Sequence, residues 1–75
     1  MRFIEGHDYS VYRQSQLIGN IIGDEFIRSS TNQLLYRIDG EEIYTVGVSS
    51  QYVGEMDGLT GRDTSGNAIF HLELD

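Results

Sequence analysis

Glycine recurs along this chain at Gly6, Gly23, Gly40 and Gly58, in steps of 17, 17 and 18 residues. A fixed period of that length marks a chain assembled from copies of one small unit. Other columns keep the same spacing. Gln16, Gln33 and Gln51 each stand seven positions before a glycine and are followed by the pairs Leu17-Ile18, Leu34-Leu35 and Tyr52-Val53. Ile4, Ile21, Ile38 and Met56 stand two positions before the glycines, and Tyr9, Phe26 and Ile43 three positions after them, a column that Gly61 breaks. A last half-unit, residues 67–74, fits the frame with Asn67 in the glutamine slot and Leu74 where glycine would be.

Each unit reads as a β-hairpin, because the apolar alternation has period two and a glycine sits where a tight turn needs positive φ. At Asp39-Gly40 these two residues are expected to form the loop. Arg37 would then face Glu42 and Tyr36 would face Ile43, whereas a slip of one residue sets Asp39 against Glu42. Polar stretches at 13–15, 29–32, 47–50 and 64–66 read as connecting loops. No segment carries a helical apolar stripe. The expected fold is therefore all-β and a single domain over residues 1–75. It consists of four repeated antiparallel hairpins of about 17 residues plus a C-terminal strand, in a pseudo-symmetric small barrel or flower. That strand either pairs with the first hairpin and closes the ring or pairs with another chain.

Ile43-Tyr44, then the run from Gln51 through Tyr52-Val53-Gly54-Glu55-Met56-Asp57 to Gly58, echoed from Gln33 to Gly40, resembles the bacterial proteins described as the four-fold β-flower. The resemblance spans roughly residues 9–74 and implies short hairpins set around a pseudo-four-fold axis. It brings no established activity and no catalytic residues. Small proteins of this kind are also similar to products of mobile gene cassettes.

A chain of 75 residues buries only about 60% of its unfolded surface, so its stability is thin. With no cysteine, neither disulfides nor thiolate metal sites can compensate. Self-assembly is the expected remedy, so the partner expected is a second copy of the chain or another protein. The formal net charge is −7, and all five cations are arginines. That balance repels phosphate backbones, which argues against nucleic-acid binding. No apolar run approaches the roughly 20 residues needed to cross a bilayer as a helix. The first residues lack a signal-peptide apolar stretch, and a cytoplasmic location is expected.

Two groups of side chains are candidates for a site. The aromatic excess singles out Tyr36, Tyr44, Tyr52 and Phe70 as interface or ligand contacts, since tyrosine is a preferred interface anchor. Acids gather at the turns, with Asp24, Asp39, Glu41, Glu42 and Asp57 able to form a cation site if the turns meet at one end of a ring. Their spacing matches no calcium loop, and solvated turn residues paired with Arg28 and Arg37 are the favoured explanation. His7 and His71 lie near opposite chain ends, where closure could bring them towards Ser10, but nothing in the spacing supports a nucleophile, base and oxyanion hole. No catalytic residue, cofactor or metal is expected. The function expected is a non-catalytic interaction module that forms a homo-oligomer; the alternative is a small-ligand or cation binder with an aromatic and acidic pocket at the axis or a subunit interface.

Overall fold

A computed structural model of the chain describes all of residues 1–75 and contains eight β-strands and no helix. The strands are β1 Asp8–Arg13, β2 Gln16–Ile22, β3 Phe26–Arg28, β4 Leu34–Asp39, β5 Glu42–Thr45, β6 Tyr52–Asp57, β7 Thr60–Asp63 and β8 Ala68–Leu74. Each pairs antiparallel with the next, and β8 pairs with β1, so the chain closes its own barrel. Tyr9 faces Leu74 and Tyr12 faces His71 across that seam, and the Asp75 N–H reaches the Asp8 carbonyl at 3.0 Å. Closure leaves no unpaired sheet edge.

The hairpin register differs from the expected one. Asp39 faces Glu42 and Ile38 faces Ile43, so the loop is Gly40-Glu41, with Gly40 at φ +65°. Both isoleucines are fully buried. Burying such a side chain yields about 1.5–3 kcal/mol, whereas a like-charged exposed pair across two strands costs at most about 1 kcal/mol. Burial therefore decides the register. The same offset recurs at Asp57 and Thr60, around a Gly58-Leu59 loop.

The hairpin expected around Gly6 does not form. Residues 1–7 carry no strand, and the neighbour of β1 on that side is β8. The first residues instead run over the end of the barrel where the Gly40 and Gly58 turns lie. There Phe3 enters the core beside Tyr9, with ring centroids 5.4 Å apart, and the Ile4 N–H donates to the Tyr9 hydroxyl at 3.0 Å. Ile4 is half exposed, whereas Leu72 of β8, two positions before Leu74 as Ile21 and Ile38 are before their glycines, is fully buried.

Four of the eight strand pairings carry a β-bulge. Ile18, Leu35, Val53 and Ile69 are skipped in the pairings of β2 with β1, β4 with β3, β6 with β5 and β8 with β7. Each is the second member of an apolar pair, partly buried against the core. Bulges of this kind bend a strand and increase its twist, which lets a sheet of short strands curl shut.

Beside each bulge the cross-strand pairs are Val11 with Gly19, Ile27 with Tyr36, Ile43 with Gly54 and Gly61 with Phe70. Three of these pairs set a glycine against a larger side chain, and the fourth, Ile27 with Tyr36, sets two large ones together. Tyr36 and Phe70 stack with centroids 5.6 Å apart. A Cβ on Gly19 would strike the Arg28 carbonyl, and one on Gly54 the Arg62 carbonyl, so close backbone approach requires glycine at both. Tyr9, Val11, Ile21, Ile27, Ile38, Ile43, Phe70 and Leu72 complete the core with Phe3.

Candidate functional site

The structure divides the four candidate aromatics. Phe70 is 2% exposed and Tyr36 is half-buried against it, so this pair is core. Tyr44 and Tyr52 stand on the outer wall. They lie in one cross-strand row, Phe26 beside Arg37, Arg37 beside Tyr44 and Tyr44 beside Tyr52. The Arg37 guanidinium lies 5.0 Å from the Tyr44 ring centroid, and the two tyrosine rings meet edge to face at 5.8 Å. Arg37 also reaches Glu25 and Asp39, each at 3.4 Å. The Tyr44 hydroxyl donates to Glu42 at 2.9 Å, and that bond to a carboxylate holds its pKa above the ordinary 10.0. Loss of hydration raises the Tyr52 phenol, and its hydrogen bond to Glu55 at 3.2 Å adds to the shift. Both phenols therefore stay protonated donors at neutral pH.

A second row of the same layout runs across the closing seam: Thr60 beside His71, His71 beside Tyr12, Tyr12 beside Leu17. Here no arginine covers the tyrosine. The row borders an open cleft of about 800 Å³. Ala68, Ile69 and Phe70 form its apolar part, while Arg13, Arg62 and Glu73 bring charge to it. His71 Nδ1 and Thr60 Oγ1 share a hydrogen bond of 3.2 Å. That distance would let an imidazole activate a hydroxyl, but neither Glu73 nor any other group hydrogen-bonds the second ring nitrogen, and an orienting partner is part of such a relay. Ser10 donates to Asp75 at 2.6 Å, and no hydrogen bond joins it to a histidine.

The acidic residues lie at three turns, Asp24 between β2 and β3, Asp39, Glu41 and Glu42 at the β4–β5 turn, and Asp57 at the end of β6. Asp24 accepts from Arg28 Nη1 at 2.7 Å and from the Phe26 N–H at 2.9 Å, Asp39 is ion-paired with Arg37 at 3.4 Å, and Asp57 accepts from Arg62 Nε at 3.0 Å. Glu42 holds the Tyr44 hydroxyl. Glu41 lies exposed beside the first residues of the chain. No group of three or more acids and histidines is close enough to share a metal ion.

At the end of the barrel away from the glycine turns, the first member of each apolar pair points outward. Leu17, Leu34 and Tyr52 are 60%, 43% and 45% exposed there. They form a broken apolar girdle next to the bulges. No family model, no curated protein and no solved structure matches this chain.

Sequence reasoning passed over Arg13, Thr60, Gly19 and Gly54. A signal was present at twice the period. Gly19 and Gly54 are 35 residues apart, and Tyr36 and Phe70, like Arg28 and Arg62 whose carbonyls those glycines approach, are 34 apart.

Proposed function

We propose that this protein is a non-catalytic interaction module that works as a homo-oligomer. The observation that carries it is the girdle of Leu17, Leu34 and Tyr52, three large side chains left on the outer wall of a barrel that has already filled its core. With the sheet closed, association by strand addition has no edge to use, so contact goes through side chains. Beside Tyr52, Arg37 and Tyr44 of the same cross-strand row add residue types enriched at interface centres. A second copy is the favoured occupant because a chain this small gains most from burying its own remaining apolar surface.

We also infer that the four-fold β-flower arrangement applies, with the fourth unit split between the chain ends, β8 supplying its first strand and β1 its second. The spacing of the bulges at Ile18, Leu35, Val53 and Ile69 supports that view.

Sedimentation velocity across a concentration series tests self-association. The expected result is a dimer or larger species by about 100 µM, as fits a micromolar interface, reverting to monomer in the triple variant Leu17→Ser, Leu34→Ser, Tyr52→Ser. A wild-type chain that stays monomeric to about 500 µM would overturn it.

A further inference from the structure

We infer that the cleft between β7, β8 and the β1–β2 turn is a binding site for a small organic anion, a carboxylate carried on a flat apolar body. This goes beyond self-association and rests on other residues. Charge is the first reason. Of the four surface clefts, this is the one in which arginine outnumbers acid, with Arg13 and Arg62 against Glu73. Of the others, one is lined by Arg2 with two acids, Glu5 and Glu41, one sets Arg62 among Glu55, Asp57 and Asp63, and one holds no charge at all. On a chain of net charge −7 a cleft with more cations than acids is an exception.

The state of Arg13 is the second reason. Arg28, Arg37 and Arg62 are committed to carboxylates. Arg13 has no acidic partner. Its Nε donates to the Ile69 carbonyl at 3.0 Å, which fixes the side chain and leaves both terminal amino groups available in the cleft. A guanidinium held in this way is preorganised for two parallel hydrogen bonds to a carboxylate. Arg62, tied to Asp57 at 3.0 Å and to the Gly66 carbonyl at 3.2 Å, is a screened second cation.

The third reason is the comparison with the other outer row. There Arg37 lies over Tyr44 and fills the equivalent position. In this row His71 occupies the place of Arg37, Thr60 that of Phe26 and Leu17 that of Tyr52, and the Thr60 hydroxyl anchors the imidazole to one side. The tyrosine face that is covered in one row borders an opening in the other. Tyr12, Ile69 and Ala68 then supply the apolar contact for the ligand body, while Glu73 at the rim opposes an anion.

The test is a set of amide chemical-shift titrations with benzoate, benzyl alcohol, benzylammonium and inorganic phosphate as probes. Benzoate is expected to move the resonances of Tyr12, Arg13, Ile69 and His71 saturably, and the other three to bind at least about tenfold more weakly, the loss that accompanies a missing charge-assisted pair. Arg13→Met is expected to weaken benzoate by about tenfold, and Glu73→Gln, which leaves the Arg13 anchor intact, to tighten it by a few fold. Melting curves check that both variants fold. Benzoate that produces no saturable shift, equal binding of benzylammonium, or a Glu73→Gln variant that binds benzoate more weakly than the wild type would each overturn the assignment.

Discussion

Ser29, Thr45 and Asp63 share one structural task that depends on oxygen and not on a particular residue type. The N–H of each donates to the carbonyl of Gln33, Gln51 or Asn67 at 2.8–2.9 Å, and the side-chain oxygen of each accepts the N–H of that same residue, at 3.2, 2.9 and 2.9 Å. The loop is clasped from both sides, as short polar side chains do in turns. The glutamine column thus acts through its backbone, and its side chains are exposed. Asp63 is the charged version. The bond from the Asn67 N–H is the largest influence holding its carboxyl below the ordinary 3.8, with further bonds from the Ser65 N–H and the Asn67 amide in the same direction. A depressed folded-state pKa contributes stability above the unfolded value, and that contribution disappears as pH falls through the folded value. Asp63→Asn is therefore expected to melt below the wild type at neutral pH, with the gap closing as pH drops below about 4. Melting temperatures of both proteins from pH 7 to 2 check this, and a gap that does not change with pH would refute it. The repeat column was visible in the letters, but the clasp was not, because serine, threonine and aspartate match only in the position of one oxygen.

The turn between β1 and β2 is the element most at odds with its own sequence. Arg13 faces Gln16, leaving a two-residue loop in which Gln14 and Ser15 have φ of +50° and +66°. Positive φ at both loop positions is what asparagine and glycine tolerate and what other L-residues pay for sterically, at about 1–2 kcal/mol each. Replacing Gln14-Ser15 by Asn-Gly is expected to stabilise the fold by about 1 kcal/mol, a rise of about 4–8 °C in Tm for a chain this size. An unchanged or lower Tm in thermal unfolding would contradict that geometry. Composition marks residues 13–15 only as a connecting loop, since no glycine stands there to signal a tight turn. Elsewhere the glycines did mark the turns, but not which residue stood first in the loop. At Gly40 that depended on whether Ile38 and Ile43 could be buried together, a property of the closed barrel and not of the turn.

For the whole molecule, closure is achieved by strands from the two ends of the chain, and the residues before β1 are left to cover one end of the barrel. Phe3 is the side chain that makes this cover part of the core, being 9% exposed against Tyr9. Phe3→Ala is expected to cost about 2–3 kcal/mol, at the low end for phenylalanine because the site is at the core's rim. In urea titration the midpoint should fall with the native β-signal otherwise retained, and an unchanged midpoint would mean that residues 1–7 do not contribute to the core. The strand-like letters of Phe3-Ile4 suggested a hairpin around Gly6. That place in the sheet is taken by β8, whose seven residues, Ala68–Leu74, offer β1 a longer partner than the five that precede Gly6. The candidate site was legible in part: Tyr44 and Tyr52 lie outside, Tyr36 and Phe70 inside, and the cleft beside Arg13 joins residues from both ends of the chain.

By itself the sequence determined the all-β class, the positions of most turns and the period of the apolar columns. These follow from local rules, glycine at positive φ and alternation of side chains across a strand, that act within a few residues. Only the tertiary structure decided the register, the partner of the last strand and the side of the wall on which each aromatic lies. Those depend on which apolar faces can be buried at once when the sheet closes on itself, and the residues paired at the seam, from Tyr12 with His71 to Tyr9 with Leu74, are 59 to 65 positions apart.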